Sequence, residues 1–185
     1  MLGNSLSLGK EYLKKAVKSG DTVIDATCGN GFDTLFLKEL VGDEGKVYGF
    51  DIQEIALENT MKLLKKKGQE NSVVLNLCSH SELDKFVKEP VKAVVFNLGY
   101  LPKGDHSIMT VPETTVVAIE KALEVLEDNG IITVMIYHGG DSGFLERDEL
   151  MKYLERLDSK RYSVLVHNFI NQINYPPILA VIEKK

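Results

Sequence analysis

Apolar runs of strand length alternate along the chain with longer segments whose apolar positions recur at helical spacing. The runs at 22–28, 46–52, 72–78, 92–98, 130–138, 162–170 and 178–184 predict seven strands. Helices are expected near 7–18, 32–41, then from the end of the second strand to Lys67, near 81–87, near 112–127 and near 145–157. The strand runs are rich in Val and Ile and nearly continuous in hydrophobicity, as in strands covered on both faces. Strand–helix alternation then implies an α/β domain, a parallel sheet with helices on both sides. The last pair departs from this rule. Only NQINYPP (171–177) separates them, and a parallel crossover needs roughly a dozen residues. The final strand is therefore expected to run antiparallel. With no repeat, low-complexity stretch or linker, residues 1–185 read as a single domain.

Composition narrows the class. The 185 residues are 44% hydrophobic and 26% charged, ordinary for one globular domain with a sizeable core. No apolar run approaches the roughly 18 to 20 residues of a membrane span, so no membrane association is expected. The first residues, MLGNSLSLGKEYLKKAVKSGD, lack the apolar block and cleavage site of a secretory signal. Two cysteines, Cys28 and Cys78, are too few for a disulfide framework and point to a reducing, cytoplasmic setting. The Cys28–His80 spacing fits no zinc pattern, so no metal is expected. The net charge of −5 argues against sequence-blind adhesion to nucleic acid over the whole surface. It leaves room for local basic patches at Lys14, Lys15 and Lys18, at Lys62, Lys65, Lys66 and Lys67, and at Lys152, Arg156, Lys160 and Arg161. Each also reads as the solvated face of a helix.

The stretch DATCGNGFDT (25–34) carries the first sign of chemistry. Asp25 closes the first strand, and the loop after it falls at the carboxyl edge of the sheet, where open α/β sheets bind ligands. Gly29 and Gly31 let a ligand lie against backbone, and the helix behind offers free N–H groups. A dinucleotide loop would need a third glycine where Thr34 stands, and the lysine of a phosphate-binding loop is missing. Asp51, closing the second strand, is placed for a ribose diol. Asp25 and Asp33 would repel a pyrophosphate, whereas Asp25 could orient the cationic end of an amino acid. Together with the closing hairpin, these residues favour a methyl donor over a nicotinamide cofactor.

The whole chain resembles the class I S-adenosylmethionine-dependent methyltransferases. DATCGNG (25–31) is similar to their D-x-G-x-G-x-G motif, departing from it at Thr27. DATCGNGFDTLFL (25–37), NLGYLPKGDH (97–106) and NQINYPPILAVIEK (171–184) resemble, more narrowly, a bacterial family labelled rRNA methylases. That family includes tRNA methyltransferases acting on the aminomethyl group of a modified wobble uridine. The resemblance implies a Rossmann-like sheet of seven strands, mostly parallel, in the order 3-2-1-4-5-7-6, with the last strand antiparallel.

The same resemblance distributes roles. S-adenosyl-L-methionine would lie with its amino-acid end near Asp25, Thr27, Gly29, Asn30 and Gly31, and with Asp33 and Thr34 at the helix start. Asp51 would hold the ribose, Ile52 and Gln53 would flank the adenine, and Ser79 and His80 would edge its ring. Asn97-Leu98-Gly99-Tyr100 loosely resembles the Asn/Asp-Pro-Pro-Tyr loop of amino-group methyltransferases. Asn97 and the Leu98 carbonyl would then orient the acceptor nitrogen and Tyr100 would stack on the base. Acceptors aimed at an amine also stabilise the positive charge it gains. Asp105, His106 and His138 are candidates for the departing proton, and the sequence does not choose among them. If the sixth strand is parallel, Asn171, Gln172, Asn174 and Tyr175 emerge on the active-site face beside Tyr137, suited to reading an unpaired base. Plainer roles remain open: a packing histidine at His80, a turn cap at His138, a polar hairpin loop at 171–177.

The expected partner is tRNA at its anticodon region, and a homodimer is one arrangement that would pool the basic patches. Methylation of rRNA or of a small molecule is the alternative, followed by a non-catalytic RNA- or nucleotide-binding module. Hydride transfer ranks last for want of the third glycine.

Overall fold

Asn4 starts the fold: its side-chain oxygen accepts from the Ser7 N–H at 2.8 Å and caps α1 (Ser5–Ala16). The computed structural model describes residues 3–101, 108–138 and 143–185. After α1 come β1 (Thr22–Asp25), α2 (Phe32–Val41), β2 (Lys46–Asp51), α3 (Glu54–Lys67) and β3 (Val73–Leu77). A 3-10 turn (His80–Lys85) stands where a short helix near 81–87 was expected. β4 (Val91–Asn97), α4 (Pro112–Val125), β5 (Leu126–Ile136), α5 (Gly143–Glu155), β6 (Tyr162–His167) and β7 (Ile178–Lys184) complete the order.

The strands form one sheet ordered β3-β2-β1-β4-β5-β7-β6. β1 pairs in parallel with β2 and β4, β2 with β3, and β4 with β5. β7 runs antiparallel to both β5 and β6. The expected order and the reversed final strand are both present. β6 is consequently parallel to β5, so the β6–β7 loop opens on the same edge as Asp25, Asp51 and Asn97.

Both faces of the sheet are covered. On one, Val23, Val47, Ala93 and Val95 pack with Leu13 of α1, Val17 just after it, and Leu37 and Val41 of α2. On the other, Ile24, Phe50, Phe96 and Ile132 pack with Leu83, Ile119 and Leu150 from the 3-10 turn, α4 and α5. Successive strand residues point to opposite faces, which is why Val23 and Ile24 fall in different layers and why the strands read as unbroken apolar runs.

Several boundaries move from their expected places. β1 ends at Asp25 rather than at 28, although Ala26 and Cys28 still donate to Val95 and Phe50 carbonyls, each at 2.9 Å. The chain turns away at Gly29, with φ +53°. α4 stops at Val125 because Leu126 already pairs with Val91, and an irregularity between Val91 and Ala93 separates that contact from the regular ladder beginning at Ile131. β6 ends at His167, leaving residues 168–177 as the rim loop.

Candidate active site

The glycine loop is built by hydrogen bonds from beneath and from the side. Asp51, half-buried at the end of β2, accepts from the Gly29 N–H at 2.9 Å and from the Gln53 N–H at 2.9 Å. Both of its oxygens are thus aimed before any ligand arrives, with lone pairs to spare. Gly31 sits at φ +81° and starts α2. A Cβ there would lie 2.7 Å from the Thr60 Cα, so α3 approaches too closely for any side chain. Thr60 Oγ1 lies 3.4 Å from the Gly29 carbonyl, and Asn59 Nδ2 donates to Asn30 Oδ1 at 3.1 Å. Ile52 and Phe32 are exposed apolar side chains on either side of this loop.

Asp25 and Thr34 act from below. Both are fully buried, and Thr34 donates to Asp25 Oδ2 at 2.6 Å while the Thr27 N–H donates to Oδ1 at 3.1 Å. Neither side chain has exposed surface, so in this structure both brace the loop from within. Burial pushes the Asp25 carboxyl up to about 7, helped by the neighbouring Asp33 and opposed by the Thr34 and Thr27 bonds, with Asp51 a smaller upward influence. Three carboxylates therefore share one small region.

Thr27 explains its own departure from the glycine of the general motif. Its hydroxyl accepts from the Asn97 backbone N–H at 2.7 Å and joins the ends of β1 and β4. Asn97 Nδ2 donates to Asp33 Oδ2 at 3.1 Å. A carboxylate can only accept, so this bond fixes the amide orientation and leaves Oδ1 as the side chain's acceptor. Leu98 is buried and its N–H donates to the Met135 carbonyl at 3.0 Å. Gly99 follows with φ +128°, and Tyr100, half-exposed, bridges to Met109.

Ser79 caps the 3-10 turn by accepting from the Ser81 N–H at 3.2 Å. His80 is buried, its ring packed edge-on against Phe96 with centroids 5.9 Å apart. Its Nε2 has no partner among the described residues, and burial holds the imidazole down at about 4. It is a neutral ring at physiological pH.

The far rim gathers Tyr137, His138 and the β6–β7 loop. Burial, with a smaller contribution from the Asp33 charge, pushes the Tyr137 phenol up. His138 is buried and its Nε2 bonds the Pro176 carbonyl at 2.9 Å. A carbonyl accepts, so Nε2 carries the proton and Nδ1 the lone pair. The His138, Phe144 and Tyr175 rings meet edge to face at 5.6 to 6.2 Å. Tyr175 itself sits at φ +45°, an uncommon backbone state for a bulky residue. Asn171, Gln172 and Asn174 are exposed beside it. Asp105 and His106 lie outside the described residues.

Sequence reading missed Glu146, Thr110 and Thr115. Thr110 Oγ1 and Thr115 Oγ1 donate to the two oxygens of buried Glu146 at 2.8 and 2.9 Å. A glutamate in the first turn of a helix reads as a solvated dipole partner, so nothing local distinguished it.

A family model described as "Putative rRNA methylase" matches residues 47–183. The chain belongs to this family. Its members are class I S-adenosylmethionine-dependent methyltransferases. A crystal structure from Clostridium thermocellum described as a "putative rRNA-methylase" shares 53% identity with a TM-score of 0.99, over 100% of both chains. A "putative methyltransferase" from Streptococcus mutans, solved in complex with SAH, shares 39% identity with a TM-score of 0.92, again over 100% of both chains. Among curated proteins, the chloroplastic tRNA (mnm(5)s(2)U34)-methyltransferase of Arabidopsis thaliana is 43% identical over 74% of this chain and 53% of its own length. The chain thus spans about half the length of that curated relative. No described helix is long and apolar enough to cross a membrane.

Proposed function

We propose that the protein transfers a methyl group from S-adenosyl-L-methionine to the amine of a 5-aminomethyl-(2-thio)uridine at the wobble position of tRNA. The observation that carries this reading is the Asn97–Asp33 bond, which presents an oriented amide oxygen at the end of β4, tied through Thr27 to the glycine loop. The Arabidopsis relative, named for this tRNA nucleoside, supports the choice of acceptor.

The residues present fit the cofactor. Asp51 has both oxygens preset by backbone N–H groups and can accept from a ribose diol. Exposed Ile52 offers an apolar surface beside it, with Gln53 next in the chain. The cluster of Asp25, Asp33 and Asp51 favours a cationic ligand over a pyrophosphate. When bound, S-adenosylmethionine supplies a methyl group on a positively charged sulfur.

The chain's own residues would do the rest. Asn97 Oδ1 and the Leu98 carbonyl orient the neutral amine, whose nitrogen must sit about 3 to 3.5 Å from the methyl carbon and in line with the bond that breaks. The nitrogen gains positive charge as the new bond forms, and the same two acceptors stabilise it. It then sheds a proton. Among the described candidates His138 has the chemistry to receive it, with Nε2–H held by Pro176 and the lone pair on Nδ1. Asp105 and His106 are the other candidates. Tyr100 and Tyr137 offer rings to the uridine, and Asn171, Gln172, Asn174 and Tyr175 offer amides and a further ring to the unpaired anticodon bases.

The test uses radiolabelled S-adenosylmethionine with two tRNA pools, with and without the wobble aminomethyl group, followed by nucleoside analysis. Label confined to the aminomethyl pool is the expected result. Label in tRNA lacking the amine overturns the acceptor assignment.

A further inference from the structure

The buried carboxylate of Glu146 stands directly behind the loop assigned to the methyl acceptor. The Gly99 N–H donates to Thr110 Oγ1 at 2.9 Å, and that hydroxyl donates onward to Glu146 Oε2 at 2.8 Å. The Thr110 N–H returns to the Gly99 carbonyl at 3.0 Å. Thr115, on α4, donates to the second carboxylate oxygen at 2.9 Å. Glu146 is on the first turn of α5, so one side chain couples α4, α5 and the segment that follows β4.

The arrangement is more than filler. A carboxylate in a buried site carries a desolvation cost, and a packed apolar residue would fill the same volume without it. Burial does push the Glu146 carboxyl above its ordinary range, and the two threonine hydroxyls pull it back. What an apolar residue could not do is orient the Thr110 hydroxyl. With its proton committed to Glu146, Thr110 Oγ1 must present a lone pair to Gly99. Gly99 lies between Leu98, whose carbonyl orients the amine, and Tyr100, whose ring meets the base. It is also the glycine of this loop, at φ +128°, and glycine is the residue whose backbone local sterics restrain least.

We infer that Glu146 is a positioning residue for methyl transfer, setting the Leu98 carbonyl and Tyr100 through the Thr110–Gly99 relay. This rests on the acceptor reading given above. Glu146 touches neither acceptor nor donor.

Four variants test it: E146A, E146Q, T110V and T115V. Each is first checked for native circular dichroism and for SAH binding by calorimetry. The expected outcome is that E146A and T110V lower kcat for aminomethyl tRNA about tenfold or more, the scale of a misplaced reacting group, with SAH affinity unchanged. E146Q keeps an amide oxygen that can accept from the Thr110 hydroxyl, so it restores part of kcat. T115V removes a bond to the same carboxylate without touching Gly99, so it lowers stability while kcat stays near wild type. Equal loss of kcat in T115V and T110V would reduce Glu146 to a structural support and overturn the proposal, as would wild-type kcat in folded E146A. The Gly99 amide provides a readout independent of turnover: its nitrogen–proton NMR shift and exchange rate should change in E146A and T110V and hold in T115V. If E146A fails to fold, T110V and T115V decide the matter. Wild-type enzyme that leaves tRNA unlabelled fails the acceptor reading instead. The Gly99 amide then decides the relay alone, upheld if E146A releases it and overturned if it is unchanged.

Discussion

The Asn97 backbone N–H donates to the Thr27 hydroxyl at 2.7 Å and so fastens the end of β4 to the loop after β1. The glycine loop and the segment that ends β4 are therefore one mechanical unit. Thr27→Val keeps the shape and removes the acceptor, leaving a partly buried donor unpaired at a cost of about 1 to 3 kcal/mol. Urea unfolding should show that loss, and kcat should fall with it. Thr27→Ser keeps the hydroxyl and should restore both. Unchanged stability in the valine variant would mean that the bond contributes nothing.

Gly31 and Gly68 offer a controlled comparison. Both have positive φ, +81° and +63°. A Cβ on Gly68 meets nothing within 4 Å, whereas one on Gly31 meets the Thr60 Cα at 2.7 Å. Gly68→Ala should cost about 1 to 2 kcal/mol, the left-handed penalty alone. Gly31→Ala adds a backbone clash that α3 relieves only by moving. It should cost more and should abolish SAH binding by calorimetry. Equal costs in the two variants would show that α3 yields freely.

His80 and Asp25 oppose each other in acid. The folded His80 is held near 4, below its ordinary 6.5, so its contribution is full above pH 6.5 and is lost as pH falls toward 4. The folded Asp25 is raised from 3.8 to about 7, so its contribution is full below pH 4 and is lost as pH rises toward 7. Each effect is on the order of 3 to 4 kcal/mol, and between pH 4 and 6.5 they largely cancel. Relative to wild type, Asp25→Asn should lose stability as pH falls through that window, and His80→Gln should gain it. Denaturant unfolding at three pH values checks both slopes. Parallel profiles for all three proteins would remove the pair from the account.

Asn97→Ala should bind SAH as wild type does, because Gly29 and Asp51 hold each other without it. Its kcat should drop about a hundredfold, the scale of losing one preorganised acceptor at developing charge. Normal turnover in that variant, read by the labelled-methyl assay, would remove Asn97 from the chemistry.

Much of this was legible in the residue pattern. Alternation of apolar runs with helical segments specified a covered parallel sheet, because hydrophobic period and connection length are local properties. The shortness of NQINYPP required β7 to turn back. Gly31 and Asp51 could be singled out because a left-handed glycine and a strand-end carboxylate leave marks within a few residues. The β6–β7 loop could be placed near the site, since a parallel β6 brings its end to that edge.

Other relationships had no local mark. Thr27 looked like a departure from a motif until β4 brought Asn97 against it, 70 residues on. Asp25 looked like a ligand contact, and only the closure of α2 over it shows a side chain fully buried with Thr34 bonded to its second oxygen. Glu146 resembled any exposed helix-start carboxylate until α4 and the Gly99 turn folded onto it. The sequence by itself determined the periodicities, the turns and the strand-end chemistry, since these depend on covalent neighbours. The tertiary structure decided which polar groups lose water and which partners replace it, because desolvation is set by everything packed around a group and not by the residues beside it in the chain.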